Sequence, residues 1–183
     1  MGDGKVVARM MMLDETAFKT FLQSPKVTVW SRLLLIAVGL GYGLISIVAN
    51  WAYVSDFDSQ ALRWVVVPGI FLLFGLLMAI LTRFGLSLLL WASSRGLGGR
   101  GVLGEISKAT SVSLLPGILS VPFLTGTANG LMIALLVAGL IWMYLISVQV
   151  VKATQGFDAK KAYLTVALAF VFLASIYYIV VPA

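Results

Sequence analysis

The chain has 183 residues, of which 61% are hydrophobic and only 11% are charged, and its mean hydropathy is +1.04. Because a soluble domain carries roughly a quarter charged residues, this composition excludes a water-soluble globule and predicts an all-α integral membrane protein. The chain contains neither Cys nor His, which excludes disulfides and removes the commonest general base and metal ligand.

Residues 1–29 are the only extended polar region of the sequence. Asp14 stands at the start of a helix-like run, and Pro25 stands at its end. The apolar side chains of this region are Met10, Met11, Met12, Leu13, Ala17, Phe18, Phe21 and Leu22. The pattern predicts a cytoplasmic leader with a short amphipathic helix on the membrane surface. A disordered leader is the alternative.

Five apolar segments follow, in a membrane domain that covers residues 30–183. A membrane crossing needs about twenty apolar residues, and the segments occupy residues 30–53, 62–93, 106–124, 131–151 and 162–181. The predicted fold is therefore five transmembrane helices preceded by the amphipathic interfacial helix. The second segment is about 48 Å long as a helix, so it has to tilt, kink or project into water.

Three residues within the first two segments are candidates for packing or function. Gly39 and Gly43 predict a face that another helix approaches closely. Arg83 is the one charge inside the second segment. It is either an arginine that snorkels to the headgroups, or a buried arginine paired with Glu105 or with a ligand anion.

A glycine-rich turn connects the second and third segments. Its glycines are Gly96, Gly98, Gly99 and Gly101. The turn lacks the GK[ST] signature and the preceding strand of a phosphate loop. The sequence therefore favours a plain turn near lipid headgroups over a phosphate site.

The third segment is polar in its first half and interrupted by proline in its second half. Glu105 and Lys108 are neighbours on one helical face, and Pro116 and Pro122 interrupt the apolar run. This predicts a broken helix, spanning or re-entrant, that packs inside protein. Broken helices also line sites in transporters, and Gln149 of the fourth segment is a further polar candidate for such a path.

The basic residues are distributed unequally between the two predicted sides of the membrane. Eleven Lys and Arg residues lie in the N-terminal region and in the two loops after the second and fourth segments, whereas the opposite side carries only Arg63. This bias predicts a cytoplasmic N-terminus, cytoplasmic basic loops and a C-terminus on the opposite side. The same reading makes nucleic acid an improbable partner.

The sequence does not predict an enzyme. Its acidic residues lie in loops or at segment ends, and no segment carries the interior lysine that a Ser–Lys dyad needs. Intramembrane metalloproteases require a ligand set that typically includes His. We therefore expect no catalytic, cofactor or metal site.

The sequence resembles the bacterial branch of the Yip family of membrane proteins, named after Ypt/Rab-interacting proteins. The resemblance covers nearly the full length and is carried by FLQSPKVTVWSRL, GLGGRGVLGEISKA, SVSLLPGIL and GLIWMYLISVQVVKATQGFDAKKAYL. It implies five spans, a cytoplasmic N-terminus and no catalytic residues. It also implies a bacterial inner-membrane protein that works beside other membrane proteins, in some members ABC-type exporters.

Three functions follow as hypotheses. The leading one is a non-enzymatic accessory or scaffold subunit that binds or modulates another membrane protein complex, in contact with membrane lipids and with a partner protein or a second copy. The first alternative is a small channel or transporter for a lipid-like or uncharged solute, with Arg83 and Gln149 along its path. The second is a membrane-shaping or lipid-binding scaffold that uses the leader and the basic loops.

Overall fold

Helices, joined by short turns, make up most of the part of the chain that the structure describes. The computed structural model describes residues 3–125 and 129–180, and no strand occurs within these ranges. In chain order the helices are α1 (Asp3–Met11), α2 (Glu15–Gln23), α3 (Val27–Ala49), α4 (Trp51–Ser55), α5 (Val67–Gly96), α6 (Leu103–Ser113), α7 (Val121–Thr125), α8 (Gly130–Gln155) and α9 (Ala159–Val180). The all-α prediction is confirmed.

Three stretches are long and apolar enough to cross a membrane. Among the described residues these are Val27–Ala49, Leu62–Gly96 and Gly130–Gln155. A fourth crossing results if α6 and the helical stretch Pro116–Phe123, which are bent by 51° at a short break, count as one span. These apolar helices are compatible with the predicted membrane protein. Residue 181, the predicted end of the fifth segment, lies outside the described residues.

The leader contains two helices, where the sequence predicted one. Asp14 begins α2 as expected, because its carboxylate accepts hydrogen bonds from two backbone N–H groups of the first turn. Leu13, between α1 and α2, has a φ of 64°, a left-handed conformation that ends α1. Glycine or asparagine usually occupies such a position, and leucine rarely does. The break after α1 was therefore not predictable from residue type.

The first two apolar segments differ from their predicted bounds for local reasons. α3 ends at Ala49, earlier than predicted, where the Asn50 side chain donates a hydrogen bond to the Ser46 carbonyl at 2.9 Å and competes with the helical backbone. The second segment begins as a π-helical turn, in which the Val67 N–H bonds to the Leu62 carbonyl. This wider turn accommodates the following Pro68, which lacks an N–H and crowds the preceding turn.

The third segment is broken at Pro116, the first of the two prolines predicted to interrupt it, whereas Pro122 lies within α7. α6 ends at Ser113, and Pro116 begins a 3₁₀ turn that extends to Ser120 before α7. Proline cannot donate the hydrogen bond that would continue α6, and its ring disfavours helical backbone in the preceding residue. The remaining segments are a few residues longer than predicted: α8 ends at Gln155, and α9 begins at Ala159.

The chain divides into two compact units of different charge. One comprises Met1–Ser31, Arg83–Ser113 and Tyr144–Ala183, and the other comprises Arg32–Thr82 and Leu114–Met143. The first contains eleven Lys and Arg and five Asp and Glu, a net charge of +6; the second contains two of each class, a net charge of zero. We call them the basic unit and the neutral unit.

In the basic unit, the apolar face of the leader is buried in protein. α2 packs against α1 and α6, and Met10, Phe18 and Phe21 are buried. Of the eight side chains expected to face the membrane, only Met12 is exposed. The prediction that this face enters the membrane surface is therefore not confirmed, because α1 and α6 supply an apolar environment for it.

In the neutral unit, α3 and α5 approach each other through glycines. A Cβ added at Gly39 would lie 2.8 Å from the Cα of Leu76, and one added at Gly43 would lie 2.7 Å from the Cα of Leu72. Gly75 of α5 lies against both α3 glycines. Backbones this close leave no room for side chains at the crossing, which is typical of small-residue interfaces between membrane helices.

Candidate functional site

Arg83 binds the backbone of α6. Its Nε donates a hydrogen bond to the Ser107 carbonyl at 2.9 Å, and the side chain is half-buried. Lys108 is half-buried and Glu105 is exposed in the first turn of α6, where a negative charge is favourable. A charged donor on a main-chain carbonyl is a strong interaction, so Arg83 holds α5 to α6 within the basic unit.

The glycine-rich turn packs on the end of α8. The Gly101 N–H donates to the Gln155 Oε1 at 2.8 Å, and a Cβ at Gly101 would lie 2.6 Å from the Thr154 carbonyl oxygen. Gly98 has a φ of 85°, which favours glycine. The glycines of this turn therefore allow it to pack closely on α8. Sequence reasoning treated the turn as plain, since nothing nearby identifies Gln155 as its partner.

A salt bridge joins the leader to α8. The Glu15 carboxylate binds the Lys152 ammonium and, at 3.0 Å, the Lys19 ammonium. Lys152, followed by Lys19, lowers the pKa of Glu15 below its usual value. Glu15 and Lys152 are 137 positions apart, so the sequence alone contained no signal for this pair.

The hydrogen bonds of Asp14 predict that acid lowers the stability of the leader. Hydrogen bonds from the Thr16 hydroxyl and the Arg9 guanidinium lower the pKa of Asp14 from 3.8 to about 2. Because the folded-state pKa is depressed, the stabilising contribution is complete above the unfolded value of 3.8 and is lost as the pH falls towards about 2. We expect stability to decrease across this window, as measured by unfolding at a series of pH values.

Asp14→Ser is the matched variant for that measurement. Serine also caps helices but does not titrate, so the variant is expected to show a weaker pH dependence of stability than the wild type. The difference between the wild type and the variant isolates the effect of Asp14 from that of Glu15, whose pKa is also lowered. Identical pH profiles for the two proteins would contradict this assignment.

Arg83 and Gln149, the residues proposed for a solute path, both belong to the basic unit. Gln149 is half-buried in the basic unit, and its Oε1 is a buried acceptor without a hydrogen-bond partner among the described residues. Pro116 belongs to the neutral unit, where its carbonyl oxygen would lie 2.8 Å from a Cβ added at Gly139. Pro116 thus takes part in helix packing with α8.

A second small-residue face of α8 is exposed. Gly130, Ala134 and Ala138 follow one another at intervals of four residues, and all three are exposed; we call them the small-residue stripe. Among the described residues outside the surrounding helical turn, no atom lies within 4 Å of a Cβ built at Gly130. Residues four apart lie on the same side of a helix. Sequence reasoning missed this stripe, although the spacing alone could have identified it.

Neither the described side chains nor a comparison with known proteins identifies a catalytic or metal site. Within residues 3–125 and 129–180, no group of three or more His, Cys, Asp or Glu side chains could hold a metal ion. The features that stand out are packing surfaces, one filled by glycine contacts between α3 and α5 and one exposed on α8. No protein-family model, curated protein or solved structure matches the chain.

Proposed function

We propose that this protein is a non-enzymatic accessory subunit that binds a transmembrane helix of another integral membrane protein. The observation that carries the proposal is the exposed small-residue stripe of α8. Lipid tails are as apolar as leucine and do not require small side chains, whereas close helix–helix contact does. The stripe is therefore suited to a helix rather than to bulk lipid.

The chain itself provides the comparison. Gly39 and Gly43 of α3 and Gly75 of α5 pack against the facing helix within the neutral unit. Gly139 of α8 is likewise buried against Pro116. The stripe formed by residues 130, 134 and 138 has the same character but remains exposed. A helix from a partner would complete it in the same way.

The proposed topology has five spans and follows the Yip-like arrangement. α3, the long α5 segment, the bent α6–α7 pair, α8 and α9 are the five crossings, in a bacterial inner membrane. Most Lys and Arg residues of the basic unit belong to the leader and to the stretches that follow α5 and α8, which supports a cytoplasmic position for the leader and for these two stretches. The leader then lies at the interface through its cationic side chains rather than through its buried apolar face.

The test is purification of the tagged full-length protein from its native membrane in a gentle detergent, with mass spectrometry of what copurifies. We expect a stoichiometric integral membrane protein. Ala138→Phe places a bulky ring on the stripe and is expected to reduce recovery of that protein at least about tenfold, which corresponds to about 1.4 kcal/mol of contact.

The matched control is Ile133→Phe. It places the same phenylalanine ring at an exposed position of α8 outside the stripe. Its recovery of the partner should equal that of the wild type. Recovery of the protein alone, or equal losses in both variants, would contradict the proposal. A second, differently tagged copy is included, because capture of only that copy would replace the accessory-subunit proposal with a homo-oligomer.

A further inference from the structure

An apolar groove lies in the basic unit between α5 and α9. It has a volume of about 510 Å³, and its lining residues are Leu89, Ala92, Ser93 and Gly96 of α5, Leu97 just after α5, and Leu168 and Phe172 of α9. This volume falls within the range of roughly 300–1,000 Å³ found for small-molecule sites. Ala92 and Gly96 leave space along the α5 side because their side chains are small or absent.

A cation, Lys161, lies near the glycine-rich turn that follows the groove-lining residues of α5. Lys161 lies seven residues before Leu168, on the same face of α9. Its ammonium is 5.1 Å from the centre of the Phe157 ring, and that ring would be 3.1 Å from a Cβ at Gly99. Gly99 lies three residues beyond Gly96 of the groove lining, so Lys161 is on the side of the basic unit that carries the glycine-rich turn.

The charge of Lys161 is available for a ligand. Lys152 and Lys19 both pair with Glu15, whereas Lys161 forms no ion pair among the described residues. Lys161 is exposed at the start of α9. A lipid site needs an apolar surface for an acyl chain and a positive charge for an anionic headgroup. The groove supplies the first, and the Lys161 ammonium supplies the second.

We propose that this groove binds one acyl chain of an anionic glycerophospholipid, with the lipid phosphate at the Lys161 ammonium. The groove walls include exposed apolar helix surface such as Leu168 and Phe172, which in a membrane meets acyl chains rather than water. The net charge of +6 of the basic unit favours an anionic headgroup over a zwitterionic one. The site is independent of the α8 stripe and goes beyond the accessory-subunit proposal.

The first arm of the test fills the groove. Purified full-length protein in a neutral detergent is titrated with phosphatidylglycerol or phosphatidylcholine, and bound lipid is counted by native mass spectrometry. The wild type should retain one phosphatidylglycerol in preference to phosphatidylcholine. Leu168→Trp should abolish this retention, whereas Val171→Trp, on an exposed α9 position outside the groove lining, should preserve it.

The second arm removes the cation without disturbing the groove. Lys161→Gln is expected to weaken phosphatidylglycerol binding about fivefold, the effect of one cation near an anionic lipid. Lys160→Gln removes the same charge from the neighbouring exposed residue and should have a smaller effect. Equal effects of the two lysine changes, equal effects of the two tryptophan changes, or equal retention of both lipids would overturn the proposal.

Discussion

Phe18→Ala is expected to lower the free energy of unfolding by about 3–5 kcal/mol, the usual cost of deleting a fully buried phenylalanine ring. The Phe18 side chain has no solvent exposure, and it belongs to α2, which packs against α1 and α6. Removal of the ring leaves a cavity and weakens the attachment of the leader. Unfolding by denaturant in detergent measures the loss, and protease cleavage within residues 1–24 reports detachment.

Met12→Ala is the control within the same leader, because Met12 is 81% exposed. It should leave the free energy of unfolding nearly unchanged. The comparison also decides between protein and membrane as the environment of the apolar face. If Phe18→Ala left stability intact but weakened binding of the leader to vesicles, that face would belong to the membrane surface.

Gly75→Ala is expected to destabilise the neutral unit by about 3 kcal/mol, at the upper end of typical overpacking costs. A Cβ at this position would lie 2.5 Å from the backbone nitrogen and 2.8 Å from the Cα of Gly43. No side-chain rotation can relieve a contact with backbone, so α3 and α5 have to separate. Thermal unfolding in detergent measures the loss of stability. The larger side chain of Gly75→Leu should destabilise the unit more than Gly75→Ala does.

Gly69→Ala is the matched control on the same helix. Among the described residues outside the local helix backbone, no atom lies within 4 Å of a Cβ at Gly69, and alanine favours a helix over glycine by up to about 1 kcal/mol. This variant should therefore be as stable as the wild type or slightly more stable. Equal stability of the Gly69 and Gly75 variants would contradict the close α3–α5 crossing.

The sequence alone determined the features that depend on neighbouring residues. The scarcity of charge determined a helical, apolar protein. Asp14 marked the start of α2, and Pro116 marked the break after α6, because capping and the missing proline N–H act within one helical turn. The turn at Leu13 escaped prediction even though it is local, since its backbone conformation is unusual for leucine.

Only the tertiary structure decided which surfaces meet. Gly39 and Gly43 indicated a close packing face, but not that Gly75 of α5 lies against it. The Gly101–Gln155 hydrogen bond joins residues 54 positions apart, and sequence spacing carries no information about such contacts. The leader shows the physical reason most clearly. A pattern such as the one around Phe18 states that a face is apolar, and a membrane surface and a protein core satisfy that pattern equally well.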